Sequence, residues 1–203
     1  MKTKYIDLIT QSFDFPQDEF ELDGEYLKFN GIDLKALVEE HGTPLKFTYL
    51  PKISQNIQKA KGWFEKAREE LNYEGTYNYC YCTKSSHFRH ILGEALKNDI
   101  HIETSSAFDI NIVENLIGEG LITDDQYVVC NGFKREEYVE NIARLVNSGH
   151  RKTITVIDNY EEVDLFSEAI EGDFEIGIRI ASEEEPKFEF YTSRLGIGYK
   201  DIV

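Results

Sequence analysis

Residues 77–90 read YNYCYCTKSSHFRH and place Lys84 directly after a segment in which tyrosines alternate with smaller side chains. This alternation has the period of two residues that is typical of a β-strand, and the polar residues after it lead into an apolar, helix-like run. Lys84 is therefore predicted at the end of a strand. If the extended conformation continues that far, its side chain lies on the same face as Asn78, Cys80 and Cys82.

A lysine in that position has two interpretations. An amine held among apolar side chains loses hydration of its charged form, so its pKa falls and the neutral amine can attack a carbonyl group. The other interpretation is an ordinary lysine that is solvated where the strand ends. This stretch alone leaves both open, and the rest of the chain is needed to choose between them.

The composition indicates a globular protein that does not bind nucleic acid. The chain has 203 residues, and its 41% of hydrophobic residues are enough for a sizeable core. With 22 Lys and Arg against 38 Asp and Glu, the net charge of -16 would repel a phosphate backbone or an anionic membrane. No apolar run approaches the roughly 18 residues of a membrane span.

The cysteines and histidines indicate neither disulfides nor a metal site. Cys80 and Cys82 are one residue apart on one strand face, which makes a poor disulfide framework for a chain with three cysteines. His87 and His90 are three residues apart, but no further ligand follows at a convincing spacing. Since no apolar signal segment opens the chain, we expect a reduced, cytoplasmic protein without a bound metal.

From residue 77 onward, predicted strands and helices alternate regularly. The strands fall at 77–82, 100–104, 127–130, 153–157 and 174–180, and the helices between them at about 87–98, 108–118, 136–147 and 161–170. Strands separated by helices, at a spacing of roughly 25 residues, are typical of a parallel sheet built from βα units. The sequence therefore predicts the α/β class, with residues 1–42 as a leader that holds a short strand and a helix.

Polar or charged side chains follow each predicted strand of the sheet. These residues are Lys84, Glu103, Asn131, Asp158 and Arg179. Ligand chemistry in parallel α/β folds is built at the carboxyl ends of the strands, so a site there would require such a set. Strand ends are also half-solvated, and polar residues collect there without any site.

Several segments resemble biosynthetic arginine decarboxylases. The first is EGTYNYCYCTKSSHFRHIL at 74–92, where that family has a strand, a lysine that binds pyridoxal phosphate, and a helix. The second is YVVCNGFKREEYVENIA at 127–143. Shorter matches in the family's order are TPLKFTY at 43–49, HIETSSAFDI at 101–110, GIRIAS at 177–182 and TSRLGIG at 192–198.

The resemblance implies a fold, a cofactor and a reaction. It implies that residues 43–203 form the N-terminal part of a (β/α) barrel of the alanine racemase type, and that Lys84 binds pyridoxal 5'-phosphate covalently. Glu103 stands where the family has an acidic residue near the cofactor, and Arg179 where it has a strand-end arginine. The implied reaction is decarboxylation of arginine to agmatine in polyamine biosynthesis, in a homodimer or higher homo-oligomer.

The chain also departs from that family's pattern. Thr83 precedes the lysine and Ser85 follows it, where the family has an aliphatic residue and an asparagine. Arg194 and Leu195 precede Gly196, where the family has a lysine and a phenylalanine before the glycine. About five βα units are predicted, against the eight that close a barrel. We therefore expect an incomplete barrel. An ornithine, lysine or diaminopimelate decarboxylase relative, or a half-barrel that does not catalyse, remains as an alternative.

Overall fold

The computed structural model describes residues 3–4, 19–181, 195–198 and 202, and the chain divides into two compact units, 1–48 and 49–203. The first unit holds an antiparallel sheet and one helix. Its elements are β1 (Thr3–Lys4), β2 (Phe20–Asp23), β3 (Tyr26–Phe29), β4 (Ile32–Asp33) and α1 (Leu34–His41). Asp33 begins α1 because its carboxylate accepts hydrogen bonds from the backbone N–H groups of Lys35 and Ala36.

The second unit is an alternating α/β structure, as the sequence predicted. Its elements are α2 (Pro51–Leu71), β5 (Cys80–Cys82), α3 (Arg89–Leu96), β6 (His101–Thr104), α4 (Ala107–Gly118), β7 (Val128–Cys130), α5 (Glu136–Asn147), β8 (Thr153–Ile157), α6 (Glu161–Ala169) and β9 (Glu175–Ile178). The five strands β5 to β9 pair in parallel in the order of the sequence. The α/β class is confirmed.

The sequential strand order places the helices on one face of this sheet. Connections between parallel strands are right-handed, so helices change face only where the strand order reverses, and here it does not. Burial agrees, because Ile102, Val128 and Thr155 on one face are inaccessible to solvent. On the other face Glu103 and Val129 are only partly buried. A parallel sheet with helices on one face alone has the arrangement of a barrel wall.

The hydrophobic core of the second unit lies between the sheet and the helices α3 to α6. Leu92, Val113, Ile142 and Phe166 supply one fully buried side chain from each of these four helices in turn. Burial of a side chain of this kind stabilises the fold by about 1.5 to 3 kcal/mol. The core thus holds the helices against one face of the sheet, and this packing keeps the ends of the strands in place.

Residues 195–198 return alongside the last strand of the sheet. Ile180 and Ile197 form a parallel bridge, in which Ala181 N donates to Ile197 O (2.9 Å) and Ile197 N donates to Arg179 O (2.8 Å). Gly196 has a φ of +94°, and a Cβ there would lie 2.8 Å from Arg179 O. Only glycine suits this close approach. Arg194, which departs from the family pattern, lies outside the described residues.

Candidate active site

Lys84 lies in a turn after β5 and is exposed to solvent. Of the two interpretations that the sequence left open, the structure shows a lysine that is solvated where the strand ends, and Lys84 does not face inward among small side chains. The chain leaves the extended conformation at Thr83, whose N and Oγ1 both donate to Glu103 O (3.0 and 3.2 Å), and Ser85 N then donates back to Cys82 O (3.1 Å). The Thr83 bonds continue the pairing with β6, and the bond from Ser85 to Cys82 closes a turn, so the side chain of Lys84 follows the turn rather than the strand.

Lys84 borders an open groove of about 680 Å³ between the loop after β5 and the start of α4. The other lining residues are His87, Ser105, Ser106, Phe108, Asp109, Asn111, Ile112 and Asn115. Within the described part of the chain, the Lys84 Nζ has no hydrogen-bond or ion-pair partner. The amine is therefore accessible and uncommitted.

Glu103 lies on the face of β6 that is not covered by helices, between the buried Ile102 and Thr104. Its Oε1 accepts a hydrogen bond from Asn131 Nδ2 at 3.1 Å, which links the carboxyl ends of β6 and β7. Glu103 is paired across the sheet with Cys82. Burial, and then the hydrogen bond with Glu103, raise the pKa of the Cys82 thiol.

Arg179 follows β9 and pairs with Asp158, which follows β8. The distance from Arg179 Nη1 to Asp158 Oδ1 is 3.5 Å, and the Asp158 side chain is only 4% exposed while that of Arg179 is 36% exposed. Asp158 Oδ1 accepts no hydrogen bond within the described residues. The guanidinium is therefore a charge that compensates this buried carboxylate, and it still reaches solvent.

A second lysine, Lys134, was not predicted as a site residue. Its side chain is fully buried and its Nζ lies 3.3 Å from Oε2 of Glu162, which is also buried. Burial lowers the pKa of the Lys134 ammonium, and the Glu162 carboxylate opposes that shift. No local signal in the sequence distinguishes this lysine from a solvated one, because its partner is 28 positions away.

The three predicted site residues do not contact one another in this structure. Each is held by local partners: Lys84 by its turn, Glu103 by Asn131, and Arg179 by Asp158. Lys84 follows β5, and Glu103 belongs to the neighbouring strand β6. Arg179 follows a strand three places from that of Glu103, or roughly 14 Å along the sheet at the usual strand spacing.

Comparison with known proteins confirms the resemblance expected from the sequence. A biosynthetic arginine decarboxylase from Bacteroides thetaiotaomicron is 24% identical over 172 residues, which are 78% of this chain and 26% of the relative. One from Nostoc is 28% identical over 142 residues, which are 68% of this chain and 20% of the relative. The chain thus spans about a quarter of the length of the curated relatives it matches. No family model matches the chain.

The fold is shared with a solved structure. The crystal structure of biosynthetic arginine decarboxylase from Campylobacter jejuni superimposes with a TM-score of 0.66 and 19% sequence identity, covering 91% of this chain and 31% of that one. The chain is therefore an α/β protein with a parallel, one-sided sheet. More particularly, it is similar in sequence and fold to part of the biosynthetic arginine decarboxylases. No helix among the described residues is long and apolar enough to cross a membrane.

Proposed function

We propose that this chain is the N-terminal βα portion of a pyridoxal-phosphate-dependent decarboxylase that converts arginine to agmatine. In this proposal residues 1–42 form the leader and 43–203 the first part of an alanine-racemase-like barrel. The observation that carries the proposal is the position of Lys84, an accessible and uncommitted amine directly after the first strand of a sequentially ordered parallel sheet. Sequence similarity to named arginine decarboxylases supports the same assignment.

The charged groups at the strand ends fit pyridoxal phosphate. The cofactor carries an aldehyde and a dianionic phosphate, so it needs an amine that is free to react and cationic groups nearby. Lys84 supplies the amine, and the guanidinium of Arg179, which pairs with Asp158 at the other end of the sheet, would supply a cation once the two edges of the sheet approach each other. Glu103, fixed by Asn131, supplies a carboxylate on the face opposite the helices.

The residues of this chain would hold and orient the cofactor. When bound, pyridoxal phosphate withdraws the electron pair that is left as carbon dioxide departs. Lys84 would hold the cofactor covalently and place it at the carboxyl ends of the strands. Glu103 and Arg179 would fix its orientation from two sides, once further strands curve the sheet so that its two edges approach each other.

The proposal concerns a protein that carries the remaining strands. Five parallel strands do not close a barrel, and we expect residues 1–203 alone to bind the cofactor weakly and to release no carbon dioxide from arginine. The proposed partners are an amino acid substrate and a second copy of the chain in a homodimer or higher homo-oligomer. The proposed location is the cytoplasm, where the three cysteines would stay reduced.

Labelling with the cofactor tests the proposal. In a protein that carries the whole barrel, we expect limiting pyridoxal phosphate, followed by borohydride reduction and peptide mapping, to label Lys84 ahead of the other lysines. Lys84→Ala should abolish that label. The matched control is Lys97→Ala, because Lys97 is also exposed at 70% but is paired with Glu94, and it should leave the label unchanged. Equal labelling of Lys97 and Lys84 would contradict the assignment.

The substrate is tested in a protein that carries the whole barrel. Release of carbon dioxide would be compared for arginine, ornithine, lysine and diaminopimelate. A preference for arginine supports the proposal, and a preference for another of the four assigns the chain to that decarboxylase instead. Absence of cofactor on Lys84 in such a protein would favour a half-barrel that does not catalyse.

A further inference from the structure

The buried ion pair of Lys134 and Glu162 connects the loops after β7 and β8. Lys134 Nζ donates to Gly132 O (2.6 Å), to Val156 O and to Glu162 Oε2 (3.3 Å). All three donor positions of the ammonium group are thus used. These contacts bind the loop after β7 to the end of β8.

The carboxylate of Glu162 in turn fixes the loop in which Asp158 lies. It accepts from Lys134 N at 2.9 Å, from Asp158 N at 3.0 Å and from Asn159 Nδ2 at 3.2 Å. Glu162 N donates back to Asn159 Oδ1 at 3.2 Å. The backbone of Asp158 is therefore held by a charged acceptor that is itself held by Lys134.

Asp158 links the hydrogen bonds of Lys134 and Glu162 to Arg179. Its carboxylate is buried, and within the described residues Oδ1 has the guanidinium at 3.5 Å and no hydrogen bond. A buried carboxylate without other donors strongly attracts the nearest cation. The place of Asp158 therefore sets the place of the Arg179 guanidinium.

We propose that Lys134 and Glu162 are positioning residues for Arg179, acting through the loop that carries Asp158. The proposal rests on the proposed function only in giving Arg179 a role toward the cofactor. A pair that served stability alone has no need of charge, since apolar side chains of similar volume stabilise a buried site at least as well. The charges do what apolar side chains cannot, because they fix the backbone N–H of Asp158 and the carbonyl of Val156.

The test separates an effect on the position of Arg179 from an effect on the stability of the fold. Lys134→Met alone leaves Glu162 as an unpaired buried charge and should lower the thermal midpoint, whereas Lys134→Met with Glu162→Met removes both charges and should recover most of it. The double variant no longer holds the Asp158 backbone. We expect phenylglyoxal to modify Arg179 about fivefold faster in the double variant than in the unchanged chain. The variant Asp158→Asn, which removes the carboxylate itself, should show a similar increase. Peptide mass spectrometry measures the rate.

Two controls accompany this measurement. Lys152→Met removes an exposed lysine that is paired with Asp125 before β8 begins, and it should leave the Arg179 rate unchanged. Arg89, which is paired with Glu119, is the internal reference in every digest and should react at a constant rate.

An unchanged Arg179 rate in a folded double variant overturns the proposal, whether or not Lys84 takes up the cofactor. A faster rate supports it, and that result stands even where Lys84 remains unlabelled and the proposed function fails. If the double variant does not fold, Lys134→Leu with Glu162→Leu carries the test, because it also removes both charges and the acceptor of the Asp158 N–H. An unchanged Arg179 rate in that variant also overturns the proposal.

Discussion

Asn131 donates a hydrogen bond from Nδ2 to Oε1 of Glu103 at 3.1 Å, and so joins the carboxyl ends of two neighbouring parallel strands. Its own Oδ1 accepts from Gly132 N at 2.9 Å, which fixes the amide on both sides. Glu103 thus has a set orientation on the face of the sheet opposite the helices. Any ligand at this edge would meet an oriented carboxylate.

The hydrogen bond between Asn131 and Glu103 predicts an unusual order of stability among variants at position 131. Asn131→Asp has nearly the same shape but places a second carboxylate against Glu103, so we expect it to be less stable than Asn131→Ala at pH 7 by about 1 kcal/mol. In acid, where one of the two carboxyl groups carries a proton, the difference should disappear. Urea unfolding at pH 7 and in acid measures this. A more stable Asn131→Asp at pH 7 would contradict the pairing.

Substitution by alanine is predicted to cost more stability at Gly196 than at Gly149. Both have positive φ, +94° and +113°, but a Cβ on Gly196 would lie 2.8 Å from Arg179 O while nothing lies within 4 Å at Gly149. Substitution by alanine costs about 1 to 2 kcal/mol for the left-handed conformation at either position. Gly196→Ala should cost more, and it should speed hydrogen exchange at the Ala181 amide, which donates to Ile197. Equal exchange in the two variants would show that the close approach is absent in solution.

Cys130 predicts a loss of stability in alkali. Complete burial raises the pKa of its thiol to about 12, so the unfolded chain loses this proton near pH 9 while the folded chain keeps it. Above pH 9 the unfolded state binds fewer protons, and stability falls, by up to about 4 kcal/mol by pH 12. The free energy of unfolding, measured between pH 8 and pH 11, should fall more steeply with pH for the unchanged chain than for Cys130→Ala. Equal slopes would mean that the thiol ionises in the folded protein.

A row of exposed isoleucines in the last strand and just after it predicts self-association. Ile176, Ile178 and Ile180 are 57%, 49% and 58% exposed, and no helix of the described residues covers them. An apolar row on an edge strand is a template for association with another chain. We expect residues 1–203 to form concentration-dependent oligomers in analytical ultracentrifugation, and Ile176→Lys with Ile178→Lys to reduce them. A stable monomer that binds pyridoxal phosphate tightly would contradict both this prediction and the incomplete barrel.

The alternation of helices and strands was predictable because its signal is local. The helix 136–147 and the strand 153–157 were predicted with the boundaries that the structure has. A hydrophobic period of 3.6 residues in a helix or 2 in a strand is visible in neighbouring residues of the sequence. The apolar face that this period defines is also the face that the core buries. The orientation of Lys84 was not predictable in this way. It depends on the point at which the pairing with β6 ends, where Thr83 bonds to Glu103 O 20 positions later, and on the turn from Cys82 to Ser85 that follows.

The sequence by itself determined the α/β class, the lysine that follows the first parallel strand, and the resemblance to biosynthetic arginine decarboxylases, because each depends on residues that are close together in the chain. Tertiary structure decided which lysine is exposed and which is buried. Lys84 and Lys134 both follow strands, but only Lys134 meets, inside the fold, a carbonyl group of its own loop, a carbonyl group of β8 and a carboxylate of α6. A charge is buried only where such partners converge, and their convergence is a property of the assembled sheet.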